Sequence, residues 1–207
     1  MGTSGTRMAL SRHAATLFWT RGWAATSGDD IAAAGGVSTR TVWRYFRSKE
    51  SCVEPLLASS AYRFMASLQR WSLSSSLEDF WIRDLTEHPP TPETVFDDIR
   101  SMRVICLGHD EPALRASWLM VCGQAEQTFA PIIARRLDRR VDDATIRLSA
   151  AAATAAVRIV TEQISLAVVS EASRYDTDEV IAHLSRAIRA STTEPICDPV
   201  PRRTPGS

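Results

Sequence analysis

The stretch GGVSTRTVWRYFRSKES, residues 35–51, decides how the rest of this chain is interpreted. It contains three arginines, one lysine and three aromatic residues. Ser38 is a good helix N-cap and follows two glycines, so the stretch predicts a short helix over about Thr39–Phe46. Val42 and Phe46 share one face of that helix at i and i+4, which predicts that this face is buried.

Two further helices are predicted before this one. Apolar residues at helical spacing indicate a first helix over about Thr6–Arg21, which ends at Gly22. Thr26 is placed to cap a second, short helix over about Ser27–Ala34, which ends at the paired glycines. A helix, a short helix, a tight turn and another short helix follow the order of a helix-turn-helix motif, whose last helix enters the DNA major groove.

The charge distribution agrees with a nucleic-acid partner for this part of the chain. The formal net charge is zero, yet residues 1–50 carry seven basic and three acidic residues, a balance of +4. The remaining residues carry 17 basic and 21 acidic residues, a balance of −4. A basic head on a mildly acidic body suggests that the head meets a polyanion.

The pattern beyond residue 51 stays helical, without alternating strand-like runs. Ser48 is placed to cap a fourth helix that runs to about Trp71, and Pro55 inside it predicts a bend. Residues 191–207 contain four prolines and are expected to be disordered. We therefore predict an all-α protein with a helix-turn-helix domain at 1–50, a helical domain at 51–190 and a disordered tail.

Several classes of protein are not favoured. No signal peptide is recognisable, and the apolar run that starts at Leu148 is broken by Arg158, so we expect a cytoplasmic protein without a membrane partner. The four cysteines are scattered and are expected to be buried thiols, although a redox-sensing pair stays open. We predict no cofactor and no metal site.

Residues 17–51, LFWTRGWAATSGDDIAAAGGVSTRTVWRYFRSKES, closely resemble the DNA-binding domain of TetR-family transcriptional regulators. The shared features are an arginine-glycine-aromatic break, a threonine-serine cap, the D-I-A and G-V-S triplets, an aromatic-Phe pair and a final S-K-E. Four positions depart from the family pattern. Gly28 replaces an apolar residue, Asp29 a base-contacting or neutral one, Gly35 an alanine and Trp43 a tyrosine.

The resemblance implies that the third helix reads operator DNA. Arg40 and Arg44 are expected to project from its exposed face, where arginine is the best bidentate reader of guanine. Lys49, the only lysine in the chain, matches the phosphate-binding lysine of the motif. The full set of predicted DNA-binding residues is Thr26, Ser38, Thr39, Arg40, Trp43, Arg44 and Lys49.

The resemblance also implies that the second domain binds an effector and pairs with a second copy of the chain. An unknown, mostly apolar small molecule is expected among the middle helices, lined by Phe96, Met102, Trp118, Val121, Cys122 and Phe129. The last two helices are expected to form a four-helix bundle in a homodimer. The apolar stripes of these helices predict an interface at Ile146, Ala153, Val157, Ile164, Val180, Leu184 and Ile188.

These features together predict a homodimeric repressor that binds a palindromic, double-stranded operator and is released by its effector. A transcriptional activator, or a DNA-binding protein without an effector, remains the main alternative. A helical-bundle enzyme fits less well, because no histidine stands in a recognisable arrangement with a serine, cysteine or aspartate. Those histidines are His13, His88, His109 and His183.

Overall fold

The structure is a computed structural model, and it describes the backbone of residues 3–170 and 176–201. These residues form α-helices and one 3-10 turn, with no strand among them, which confirms the predicted all-α class. The helices are α1 (Thr3–Arg21), α2 (Gly28–Ala34), α3 (Thr39–Tyr45), α4 (Glu54–Gln69), α5 (Leu77–Glu87), α6 (Pro92–Leu107), α7 (Pro112–Leu137), α8 (Ala144–Ser170) and α9 (Thr177–Ser191).

Helix α2 and its N-cap both begin one residue later than predicted. The side chain of Ser27 accepts a hydrogen bond from the Asp30 N–H, and the Asp30 carboxylate accepts one from the Ser27 N–H in return. The N-cap is therefore Ser27, not Thr26, and Asp30 is the acid of the capping box. Aspartate reaches back from the third helical position here as glutamate does in the usual form of this motif.

The fourth helix also begins later than predicted. Residues 50–53 form the 3-10 turn, and α4 starts at Glu54 with Pro55 in its first turn. Proline fits there because the first helical N–H groups have no partner within the helix, so no bend is required. Ser48 does not cap α4; its carbonyl accepts the hydroxyl of Ser51 instead.

Two hydrophobic clusters hold the chain together. The first joins α1, α2 and α3 to the start of α4 and to parts of α6 and α7, with Phe18, Val42 and Leu56 at its centre. The second joins the end of α4 to α5, α7, α8 and α9, around Trp71 and Phe129. Because α6 and α7 contribute to the first cluster, the core under the helix-turn-helix extends well beyond residue 50.

The segment after α9 differs from its prediction of disorder. Ile196 and Cys197 are buried in the second cluster, and the Cys197 carbonyl accepts the N–H of Leu77 at 2.9 Å. Further along, the Val200 N–H donates to the Leu73 carbonyl at 2.7 Å. Residues 192–201 thus pack along the α4–α5 connection, whereas the rest of the predicted tail, 202–207, lies outside the described residues.

Candidate DNA-binding surface and ligand cavity

Helix α3 is fixed to the head by its buried face. Val42 and Phe46 lie in the first hydrophobic cluster, as their spacing predicts. Ser38 is the N-cap, and its hydroxyl accepts the Thr41 N–H at 3.2 Å. Gly36, at φ +63°, supplies the left-handed backbone of the turn between α2 and α3.

Arg40 and Arg44 are both exposed on the opposite face of α3. Neither makes an ion pair with a carboxylate among the residues that the structure describes; the Arg44 guanidinium lies 5.2 Å from the centre of the Tyr45 ring. The two positions are four residues apart, so both guanidinium groups point from one side of the helix. This side of α3 therefore presents two cations to solvent.

Arg47, one turn beyond them, is different. Its guanidinium donates to both carboxylate oxygens of Glu54, a buried residue at the start of α4. This bidentate pair ties the end of α3 to α4. Arg47 therefore has a partner within the chain.

Two departures from the family pattern compensate for each other. The Trp43 ring lies directly against the backbone of Gly28, where a Cβ atom would stand only 2.1 Å from the ring. Gly28 therefore makes room for the tryptophan, which belongs to α3 and remains 44% exposed. Gly35 has a similar role, because a Cβ there would lie 2.4 Å from the Leu10 side chain in α1.

Thr39 and Asp29 are joined across the turn. The Thr39 hydroxyl donates a short hydrogen bond to the Asp29 carboxylate. The Thr39 side chain, predicted to be free for DNA, thus already has a partner in α2. The carboxylate is exposed beside the N-terminus of α3, and its negative charge disfavours a close phosphate at that point.

Lys49 has a structural role that its sequence position did not predict. Its ammonium donates to the backbone carbonyls of Trp23, at 2.7 Å, and Thr26, at 3.0 Å, and lies 4.0 Å from the centre of the Trp23 ring. Two of its three donors are therefore used to hold the α1–α2 connection. The prediction of a free phosphate clamp does not describe this arrangement, since a compact ammonium here satisfies carbonyls of its own domain.

Thr26 belongs to the same connection. It is only 2% exposed, and its hydroxyl donates to the Gly22 carbonyl at 2.8 Å. The Thr26 side chain is therefore buried and bonded within this turn, not exposed toward DNA as its place in the motif predicts. The sequence signal that could have revealed this is the neighbouring Ser27, an equally good cap that leaves Thr26 outside the helix.

A cavity of about 230 Å³ lies among α4, α6, α7, α8 and α9. Three of the six predicted ligand-binding residues line it, namely Met102, Trp118 and Cys122. Of the others, Val121 and Phe129 are buried in the two hydrophobic clusters and do not line this cavity, and Phe96 is 60% exposed. The three predicted residues that line the cavity lie on the α6 and α7 faces that meet α8, and their role in binding a ligand stays a prediction.

The cysteines do not form a reactive pair in this arrangement. All four are free thiols. Burial raises the pKa of Cys52, Cys122 and Cys197 to about 12 and raises that of Cys106 as well. A thiol with so high a pKa holds almost no thiolate at neutral pH, and the thiolate is the form that reacts with oxidants.

The amino-terminal segment matches a known family model. Residues 11–56 match the bacterial regulatory proteins of the tetR family. The chain carries a TetR-family DNA-binding domain. A curated relative, the HTH-type transcriptional repressor KstR2 of Rhodococcus jostii (strain RHA1), is 46% identical over 56 residues, which are 27% of this chain and 28% of that repressor. The match thus spans under a third of either protein.

Two solved structures share the fold over nearly the whole chain. A crystal structure named as a TetR-family regulator from Rhodococcus sp. has a TM-score of 0.60, with 22% identity over 92% of this chain and all of that one. Another, from Mesorhizobium loti MAFF303099, has a TM-score of 0.56, with 18% identity over 92% of this chain and 96% of that one. The TetR-type domain is thus followed by a helical domain of the same architecture.

The TetR-type domain is joined to the cavity helices by charged contacts. Arg12 of α1 donates three hydrogen bonds to the buried Asp97 of α6, the shortest at 2.7 Å, and Arg100 donates to the same carboxylate at 3.0 Å. One turn further along α6, the Arg103 guanidinium lies 5.5 Å from the centre of the Trp19 ring. The next residue after Asp97, Asp98, lines the cavity, so α6 touches both sites.

The predicted dimer residues lie on the inner side of α8 and α9. Ile146, Ala153, Ile164 and Ile188 are buried within one subunit, so they have almost no surface left for a partner. Val157 and Leu184 line the cavity, and Val180 lines a neighbouring groove. The strongest apolar stripe on each helix is the intramolecular core. A second face exposes Leu148, Ile159 and Leu166 of α8.

Proposed function

We propose that this protein is a homodimeric transcriptional repressor that binds a palindromic operator through α3 and is released by a small, mostly apolar effector. The observation that carries the proposal is the pair of exposed guanidinium groups, Arg40 and Arg44, on α3 of a TetR-type domain. They lack carboxylate partners among the described residues. An unpaired arginine on a groove-sized helix is suited to the acceptor edge of guanine.

The second copy is proposed to cover the outer face of α8 and α9. Small residues line a shallow groove between these helices, and Ile159 lies in it, 47% exposed. Alanines allow two helices to approach closely, and the exposed aliphatic side chains of α8 gain from leaving water. The revised interface residues are Leu148, Ala152, Ala155, Ile159, Leu166, His183, Ala187 and Ala190.

Helix α8 also has the length and hydropathy of a membrane span over Ala144–Val169. The dimer proposal accounts for the same apolar surface without a membrane. Arg158 and Glu162 form an ion pair on the inner side of α8, and Arg158 lines the cavity. We expect the protein to act in the cytoplasm, where its proposed DNA partner is found.

Release by an effector is proposed to act through α6. A ligand in the cavity touches α6 beside Asp97, whose carboxylate holds Arg12 of the DNA-binding domain. Any ligand that prefers a different position of α6 changes the separation of the two copies of α3, which must enter successive major grooves about 34 Å apart. The ligand can shift the equilibrium between the DNA-binding and the released arrangement only by the difference between its affinities for the two.

The alternatives predict different experimental results. Purified protein is titrated against its own upstream DNA and against random DNA of equal length, in rising salt. Preferential binding of the upstream DNA supports a regulator and contradicts the enzyme alternative, whereas equal binding to both DNAs contradicts the operator proposal. Transcription measured with and without the gene then distinguishes repression from activation.

A further inference from the structure

We infer that the cavity binds a neutral, largely apolar molecule with one hydrogen-bonding group, a hydroxyl or carbonyl, that bonds to Thr154. This inference rests on the proposed function only in treating the cavity as the effector site. Beyond the proposed function, it specifies that the ligand is uncharged and that it has one hydrogen-bonding group.

The charged groups of the cavity wall are already neutralised by protein partners. Asp98 accepts a hydrogen bond from Ser60 at 2.6 Å and a short one from the Arg63 guanidinium. Arg158 donates to both carboxylate oxygens of Glu162, at 3.1 and 3.2 Å. An ionic ligand would have to break one of these pairs or be buried without a counter-ion, and both are unfavourable.

The uncharged polar groups of the wall also have partners, with one exception of consequence. The Trp118 indole N–H donates to Glu162 at 3.0 Å, and the hydroxyls of Ser60 and Ser101 lie 3.2 Å apart. The thiol of Cys122 stays protonated, because burial raises its pKa to about 12. None of these groups needs a ligand to be satisfied.

Thr154 is the exception. Its residue is 8% exposed and lines the cavity, and its hydroxyl has no hydrogen-bond partner among the described residues. Ser165 and Ser185 also have unpaired buried hydroxyls, but neither lines the cavity. A buried hydroxyl without a partner is rare because it loses its bonds to water, so a ligand group is the natural partner here.

Thr161 provides a comparison within the same helix and the same wall. Its hydroxyl donates to the Val157 carbonyl, four residues earlier, at 2.8 Å. Two threonines of α8 thus line one cavity, one with its hydroxyl satisfied by the helix and one without. The remaining wall is mainly apolar, with Leu57, Phe64, Met65 and Ile105.

The size of the cavity limits the ligand. Its volume of about 230 Å³ lies below the range of roughly 300–1,000 Å³ that is usual for pockets of drug-sized ligands. A compact molecule of one or two rings, or a short chain, is therefore expected. These features define a chemical class and do not depend on what the DNA-binding domain recognises.

The test uses two matched sets of probes and isothermal titration calorimetry on the DNA-free, full-length protein. One set is naphthalene, 2-naphthol and 2-naphthoate; the other is octane, 2-octanone and octanoate. In each set we expect the neutral polar compound to bind about fivefold more tightly than the hydrocarbon, the effect of one added hydrogen bond. We expect the carboxylate to bind more weakly than both.

Three variants assign the preference to one hydroxyl. Thr154→Val should remove the advantage of 2-naphthol and 2-octanone over the hydrocarbons while leaving hydrocarbon affinity unchanged, and Thr154→Ser should retain it. Thr161→Val, which removes a hydroxyl already bonded to the helix, should leave the advantage intact. Far-ultraviolet circular dichroism checks that each variant is folded.

Several results would overturn the inference: tighter binding of the carboxylates, an unchanged preference in Thr154→Val, or no binding of any probe up to its solubility limit. The operator titration is measured separately. If the neutral probes bind as expected but never alter DNA binding, the ligand class stands and the release mechanism is wrong. If no operator is found, the calorimetry still decides the ligand class.

Discussion

At the scale of single residues, the structure distinguishes basic side chains that are exposed and free to contact DNA from basic side chains that are bonded within the chain. Arg40 and Arg44 point to solvent, Arg47 is held by Glu54, and Lys49 is held by two backbone carbonyls. All four were equally basic in the sequence. The proposed base contacts therefore rest on the two arginines of α3, and Lys49 is expected to matter for the fold.

The first prediction concerns Arg44. Arg44→Ala is expected to weaken operator binding by about 1–3 kcal/mol and to relax the preference at one base pair, if the guanidinium contacts a guanine. Binding to random DNA should change less. Fluorescence anisotropy on operator variants with each base pair changed in turn measures both effects.

Arg140→Ala is the control, because Arg140 is an exposed arginine paired with Asp142 outside α3. Equal losses on operator and random DNA would contradict the base-reading role.

The second prediction concerns Lys49. Lys49→Met should lower the midpoint of urea unfolding, because the carbonyls of Trp23 and Thr26 lose a charged donor worth about 1.5–3 kcal/mol per hydrogen bond. A phosphate clamp would instead leave stability unchanged and flatten the salt dependence of DNA binding. Measuring both quantities in one variant distinguishes the two roles. An unchanged unfolding midpoint would rule out the structural role.

The third prediction tests the fit between Gly28 and Trp43. Gly28→Ala should destabilise the protein by about 1–2 kcal/mol, because the added Cβ displaces the Trp43 ring. In a Trp43→Tyr background the same change should cost much less, so the two substitutions are not additive. Urea midpoints at fixed protein concentration measure this coupling. Gly123→Ala is the control, since a Cβ there meets nothing within 4 Å and should stabilise α7 by up to about 1 kcal/mol.

At the scale of helices, the sequence predicted the helix-turn-helix closely because local rules decide it. Ser38 caps α3, Gly22 and Gly36 have positive φ, and Val42 and Phe46 are buried, all as expected from spacing and backbone preference. Errors arose where two local candidates competed. Thr26 and Ser27 are both good caps, and only the packing of the Thr26 side chain against the α1–α2 connection decides between them.

Features that depend on distant partners were not predictable. The segment 192–201 is rich in proline and reads as disordered, yet Arg136 of α7 holds it. This arginine is 2% exposed, donates to the carbonyls of Ile196 at 2.8 Å and Asp198 at 2.6 Å, and lies 3.4 Å from the Trp71 ring centre. Burial lowers its pKa to about 10, so it remains charged at neutral pH.

The fourth prediction concerns Arg136 and the segment that it holds. Arg136→Met should lower stability by about 3 kcal/mol or more, because it leaves several buried carbonyls without donors. It should also release residues 192–201, which hydrogen–deuterium exchange with mass spectrometry would show as lost protection in peptides of that segment. Arg135→Met is the control, because the exposed Arg135 donates to the carbonyls of Gln69 and Trp71, at and just after the end of α4, and not to residues 192–201. Retained protection in Arg136→Met would show that apolar packing of Ile196 and Cys197 alone holds the segment.

At the scale of the whole molecule, one subunit has two apolar faces on α8, and the sequence pattern does not say which belongs to the core. The predicted stripe proved to be the core because α7 and α9 pack on it, which leaves Leu148, Ile159 and Leu166 exposed. A periodic apolar stripe indicates only that one face of a helix is buried. It does not distinguish burial by the same chain from burial by a second copy. The contacts within one chain therefore leave the other face free for the proposed dimer interface.

The last prediction tests this interface. Ile159→Glu places a carboxylate in the groove between α8 and α9, where a second copy would bury it. Arg186 lines the same groove, but burying even a paired carboxylate is less favourable than burying isoleucine, so the dimer should dissociate. Size-exclusion chromatography with light scattering at micromolar concentration should show a monomer. Operator affinity should fall by about tenfold or more, because one copy of α3 holds a single half-site.

The control is Ile82→Glu, which changes a similarly exposed isoleucine on α5 and should leave both dimer and affinity intact. If Ile159→Glu remains dimeric while Ile82→Glu becomes monomeric, the second copy binds α5 and the proposed interface on α8 and α9 is wrong.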